Sequence, residues 1–264
     1  MALHHVRRGS GEPLLLIQGM SGHHLHWGEP FMAELVPEFD TIAIDHRNTG
    51  YSPRVDGPFT LVDLAEDAVG VLDDLGIASA HVLGISMGGM VAQELVLRHP
   101  GRVRTLVLGC TYAGGAEGAL TSPEVAQILA AGMQSGDRAT ALRAAWSVNV
   151  SEAFGADEAH YAAFEEISAR KPVAVEVIMR QMQAIGGHDT SARLAEIAAP
   201  TLVVHGSDDR MLPLSNGEAI ARAIPGARLE VLDGVGHMFW VEQPQRSAQL
   251  VREHCRAGAE PAGP

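Results

Sequence analysis

Ser86 stands in a run whose residue types and spacing could do chemistry: Gly84-Ile85-Ser86-Met87-Gly88. Glycines two positions to either side leave room where a chain reverses sharply, and a serine at the tip would hold its hydroxyl outward. An apolar run, Ala80–Leu83, precedes the pattern and reads as a buried strand. Val91–Arg98 follows with helical spacing and stops at Pro100. That helix would aim backbone N–H groups at a developing oxyanion. A serine in a glycine-rich turn is the plainer account of five residues alone; the flanking strand and helix favour a nucleophile. Such a serine needs a base, and the base needs an orienting group. Two later loops carry candidates. One follows the apolar run Pro200–Gly206 and contains Asp208 and Asp209; the other follows Arg228–Leu232 and contains His237 in Gly234-Val235-Gly236-His237.

On these motifs the sequence resembles the α/β-hydrolase family, whose triad runs Ser, Asp or Glu, His in chain order. Gly206, Asp209 and Pro213 match its Gly-x-x-Asp-x-x-x-Pro pattern. Gly234, Gly236 and His237, with Glu242 and Pro244 downstream, match its Gly-x-Gly-His and Glu-x-Pro. Gln18-Gly19 stands where relatives carry His-Gly, and Asp45–Ser52 where they carry Asp-x-Arg-Gly-x-Gly-x-Ser, with Asn48 for the first glycine. The resemblance extends over residues 5–255.

What the resemblance implies is specific. Ser86 would attack a carbonyl carbon, His237 would take and return the proton, and Asp209, rather than its neighbour Asp208, would orient the ring. The backbone N–H groups of Met20 and Met87 would form the oxyanion hole. Gln18, His23, Trp146, Met211 and Met238 are the candidate substrate contacts. The expected activity is a cofactor-free cleavage of a small carboxylic ester through an acyl-enzyme. Lactone, thioester and carbon–carbon bond hydrolysis are the alternatives within the family, and a non-catalytic receptor or scaffold is the alternative outside it. Met20, Met87, Met90 and Met238 beside the motifs suggest an adaptable apolar pocket for small to medium uncharged acyl groups.

The elements that must position these residues can be read in order. Strand candidates at Leu14–Ile17, Phe39–Ile44, Ala80–Leu83 and Val103–Leu108 alternate with helical stretches, as in a doubly wound, mostly parallel sheet with helices on both faces. Leu3–Arg8 is expected as an edge strand, and a helix is expected from Trp27 to Leu35. Thr60 should cap a helix running to Leu75. Between Ala113 and Ile197 strand candidates give way to helices, one opened by Ser122-Pro123 with Val125, Ile128, Leu129 and Met133 as its inward stripe. The expected organisation is a core of residues 1–112 and 198–264 with a helical cap, 113–197, over the strands' carboxyl ends. Ala257–Pro264 reads as a disordered tail.

Composition narrows the partners. A net charge of −13 disfavours nucleic acid and anionic membranes. No run approaches the roughly 20 apolar residues of a membrane span, and the charged start lacks a signal-peptide core, so a cytoplasmic location is expected. Two cysteines, Cys110 and Cys255, make no disulfide framework; Cys110 reads as a small core residue. Thirteen histidines invite a metal reading, but His23, His24 and His26 are bunched too tightly for a tetrahedral set. No metal and no cofactor are expected.

Overall fold

Four consecutive apolar residues, Leu14–Ile17, lie in one strand without exposed surface on either face. Only a sheet covered on both sides allows that. The computed structural model describes residues 1–259 and supplies such a sheet. Its strands are β1 (His5–Arg8), β2 (Glu12–Ile17), β3 (Phe39–Ile44), β4 (Ala80–Ile85), β5 (Val103–Gly109), β6 (Thr201–Gly206) and β7 (Arg228–Leu232). Their order is β1-β3-β2-β4-β5-β6-β7, with β1 antiparallel to β3 and the remaining pairs parallel.

The helices in chain order are α1 (Glu29–Leu35), α2 (Leu61–Asp74), α3 (Met87–Arg98), α4 (Pro123–Gln134), α5 (Arg138–Asn149), α6 (Glu152–Gly155), α7 (Glu158–Arg170), α8 (Val175–Gly186), α9 (Leu214–Ala223), α10 (Phe239–Glu242) and α11 (Pro244–Ala259). Alternation along the strands divides the core in two. Leu15 and Ile17 join residues of α2, α3 and α9 on one face, while Leu14 and Leu16 join α1 and α11 on the other. No helix among the described residues is long and apolar enough to cross a membrane.

Local sequence explains the helix starts. Thr60 and Asp63 form a reciprocal cap at α2, the Thr60 Oγ1 accepting from Asp63 N–H and the Asp63 carboxylate from Thr60 N–H. The helix expected from Trp27 instead begins as a 3-10 turn, His24–Trp27; Gly28 then takes φ 72° and α1 starts at Glu29. The stripe expected on α4 is shallow. Val125 is buried, Ile128 and Leu129 are half-buried, and Met133 is exposed, because α4 packs chiefly on α5 through Gly132 against Ala144. The expected tail is partly helix: α11 runs to Ala259, carried by buried Leu250, Val251 and Cys255, and residues 260–264 lie outside the described residues.

Strand order determines what can meet. β4 lies between β2 and β5, with Ile17 level with Gly84 and Ile85 level with Gly109. The loops after these three strands therefore open side by side. Helices α4–α8 interrupt the chain between β5 and β6 and reach the loop after β2 at two points. Gln181 of α8 meets Ser21, and Ser168 of α7 meets His26.

Candidate active site

At the end of β4 the chain turns into α3 at Ser86, whose backbone is left-handed at φ 53°. A non-glycine residue there is strained and persists only where its surroundings hold it. They do so from both sides: Ser86 N–H donates to Gly109 O (2.9 Å), and Thr111 Oγ–H donates to Ser86 O (2.7 Å). The reversal packs backbone on backbone. A Cβ on Gly88 would stand 2.1 Å from Ile17 O, and one on Gly84 would stand 2.2 Å from Gly88 O. Between Ala80 and Met90, Ser86 alone is not buried. Its side chain faces Gly19, where a Cβ would lie 3.0 Å from Ser86 Cβ.

The loop after β6 separates the two aspartates. Asp208 is exposed and bonded to Ser207, whereas Asp209 turns inward. Asp209 Oδ1 accepts from the N–H groups of Met211 (2.8 Å) and Leu212 (2.9 Å). Its Oδ2 lies 2.7 Å from His237 Nδ1 and 3.2 Å from His205 Nε2. Burial alone would raise this carboxyl's pKa, but the His237 charge and the bonds from both histidines outweigh it and hold the group far below the usual range. Burial likewise favours a neutral His237, and the Asp209 carboxylate reverses that, keeping the ring's pKa well above 6.5. In the neutral ring Nδ1–H points at Asp209, which puts the lone pair on Nε2. Glu242 braces this loop, accepting from the N–H groups of Gly236 and Ser151 (both 2.9 Å).

Ser86 Oγ forms no hydrogen bond with the ring among the described residues. Cys110 lies near enough to the ring for the two groups to shift each other's pKa. Cys110 is fully buried, as expected of a core residue, but it lies at the site rather than away from it, at φ 40°. Such bonds between nucleophile and base are often long until substrate arrives.

The loop after β2 brings N–H groups to the serine. Gly19 N–H donates to Gln18 Oε1 (3.2 Å) and Ser21 N–H to Gln181 Oε1 (2.9 Å). Between them the Met20 N–H has no acceptor among the described residues. Met87, first residue of α3, is also without an intrahelical acceptor. Two unspent donors thus flank the turn that carries Ser86.

Residues 14–250 match the Alpha/beta hydrolase family. The chain belongs to that family. It is 30% identical over 255 residues to the "Putative carbamate hydrolase RutD" of Azorhizobium caulinodans, covering 96% of this chain and 94% of that one. Among solved structures it is similar to a thermophilic esterase from Thermogutta terrifontis, at 26% identity and a TM-score of 0.83 over 98% of this chain and 94% of that one. It is also similar to the enol-lactonase from Burkholderia xenovorans, at 26% identity and a TM-score of 0.84 over 96% of each chain.

The other candidate residues of this α/β hydrolase divide. Gln18 and His23 are buried beside the loop that carries Met20, and neither ring nitrogen of His23 has a partner among the described residues. Burial, moderated by Asp45, lowers His23 to about 4. Trp146 packs among Phe154, Tyr161 and Phe164, Met238 is buried one residue after His237, and Met211 is half-buried beside Asp209. The expected methionine lining is thinner than sequence adjacency suggests. Met87 and Met90 sink into the core between α3 and the sheet, because the helix's inward face takes whatever lies at those positions. Met179 and Met182 face outward on α8.

The histidine loop also divides. His24 Nδ1 turns to Asp45 Oδ1 (2.9 Å), where His4 Nδ1 meets Oδ2 (2.9 Å). These ligand-type atoms lie within 4.8 Å of one another, and Asp45 also accepts from the N–H groups of His24 and Tyr51. That carboxylate is already engaged by two ring nitrogens and two backbone N–H groups. His26 accepts from His23 N–H, so its Nε2–H donates to Ser168 Oγ (3.2 Å). Arg47 pairs with Asp67 and Arg210 with Glu124. No motif in the sequence singles out His205, Gln181 or Cys110 for the site.

Proposed function

We propose that this hydrolase cleaves small carboxylic esters and lactones through an acyl-enzyme on Ser86. The observation that carries the reading is the 2.7 Å contact between Asp209 and His237, on loops at the carboxyl end of the sheet that also presents Ser86. Ser86 Oγ attacks the carbonyl carbon while its proton passes to His237 Nε2. The tetrahedral oxyanion accepts from the Met20 and Met87 N–H groups. Collapse expels the alcohol with the proton from His237, and a water deprotonated by the same ring releases the carboxylic acid. Residues 113–197 act as a cap that bounds the acyl pocket. The esterase and lactonase among its structural relatives support this substrate class. Both cysteines are free, in keeping with a cytoplasmic site of action. A carbamate carbonyl is open to the same attack, and the Azorhizobium relative favours that second reading.

The test is labelling with a fluorophosphonate, followed by a panel of esters, lactones and aryl carbamates. The adduct should map to Ser86. A folded protein that stays unlabelled would favour a receptor or scaffold instead.

The pH profile should carry the mark of His237. Catalysis needs the ring neutral, and its pKa lies above 6.5, so kcat/KM should climb along an acid limb centred above that value. A limb centred below 6.5 would contradict the pairing. Stability runs the other way. The ring's contribution is full below its unfolded pKa and is lost as pH rises through the elevated folded value; that of Asp209 is present above its unfolded pKa and is lost as pH falls through the depressed one.

A further inference from the structure

Two glutamines meet the same short loop from opposite ends of the chain. Gln18 closes β2, and Gln181 comes from α8, 160 residues from its partner Ser21. Gln181 is fully buried and Gln18 is 3% exposed. Each turns its Oε1 to a backbone N–H, Gly19 for the first and Ser21 for the second. Those bonds set the orientation of both amides, since a flipped group would press NH2 against an N–H donor. Each Nε2 is then left buried and, among the described residues, without a partner. A buried unpaired amide is costly in any fold, and a methionine of similar length would avoid the cost. Here two occur on one loop, flanking the Met20 N–H, with Gly19 against Ser86.

Resting on the serine-hydrolase reading, we propose that the Nε2 groups of Gln18 and Gln181 form a substrate subsite. It binds a second, uncharged oxygen of the acyl group, such as an ether, keto or amide oxygen close to the scissile carbonyl. The charge state follows from the surroundings. Arg47 and Arg210 are engaged by Asp67 and Glu124, and Arg180, on the same helix as Gln181, is held by Glu176 and the Val55 carbonyl. Lys171 stands over the Tyr51 ring, near enough for its charge to act on His23, but neither glutamine carries charge, and neutral amide donors suit a neutral acceptor better than a buried carboxylate. The two Oε1 atoms meanwhile hold Gly19 and Ser21, so the same side chains position the loop that presents the Met20 N–H.

The test compares p-nitrophenyl methoxyacetate with p-nitrophenyl butyrate, which differ by an oxygen in place of a methylene. Their intrinsic reactivities cancel when each variant is referred to the unaltered enzyme. In Gln181→Met and in Gln18→Met, kcat should fall for both esters because the loop loses an anchor. The kcat/KM ratio of methoxyacetate to butyrate should fall further, by about tenfold, the worth of one lost hydrogen bond. Loop positioning alone would leave that ratio unchanged. An unchanged ratio in folded variants, with hydrolysis still dependent on Ser86, overturns the subsite. Hydrolysis that survives Ser86→Ala overturns the serine reading instead. Dissociation constants of both esters measured in the Ser86→Ala background give the same ratio without turnover, and either glutamine variant carries the test should the other fail to fold.

Discussion

Replacing Ser86 by alanine is expected to lower ester turnover by on the order of 10⁶-fold while leaving the fold intact. The hydroxyl makes no bond that holds the elbow; the restraints on Ser86 act through its backbone N–H and carbonyl, both kept by alanine. Removing one half-buried oxygen therefore costs little packing. His237→Ala should show a loss of similar scale, and the double variant should be scarcely worse than either single one, because such residues act as a unit. Purified, folded Ser86→Ala retaining most of the activity would end the proposed mechanism.

Asp209→Asn is expected to reduce kcat by about 10⁴-fold and to lower stability as well. The carboxylate accepts from three donors, two backbone N–H groups on Oδ1 and the His237 ring on Oδ2. Asparagine must turn its NH2 toward one side or the other. Facing Met211 and Leu212 it would oppose two backbone N–H groups; facing His237 it would impose the wrong tautomer. The mismatch should cost about 1–3 kcal/mol of stability. Asp208→Asn, at an exposed position whose carboxylate accepts from the Ser207 hydroxyl, should change rate and melting temperature little. Parallel kinetics and thermal melts decide it. Equal losses at both positions would mean that the loop, not the carboxylate, matters.

The doubly wound sheet and the turn around Ser86 were legible in the sequence because each is a contiguous run whose pattern declares its environment. Leu14–Ile17 has no polar alternate and must be covered twice; Gly84 and Gly88 bracket a reversal that leaves no room for side chains. The residues that escaped attention meet only through strand register and helix docking. Cys110 is adjacent in sequence to nothing reactive, yet β5 ends level with β4 and delivers it to His237. Gln181 belongs to a helix with exposed Val175, Met179 and Met182, so its periodicity gives no hint that one polar position turns inward. His205 ends an apolar strand, where a histidine is most simply a buried packing residue. Met90 shows the converse: proximity in sequence to Ser86 suggested pocket lining, but helix geometry turns it into the core.

Ser21, Ser86 and Cys110, at the carboxyl ends of β2, β4 and β5, all hold left-handed backbone without being glycine. At about 1–3 kcal/mol each, the strain is a sizeable part of the roughly 5–15 kcal/mol that keeps a domain folded. Mutational tolerance is reduced accordingly. A substitution in Leu14–Ile17 or Val82–Ile85 that a relaxed sheet would absorb consumes a margin already drawn down at the strand ends. Attempts to broaden the enzyme's substrate range should therefore begin from a background with a stabilised sheet, and should place diversity in the helices between β5 and β6, which carry little of that strain.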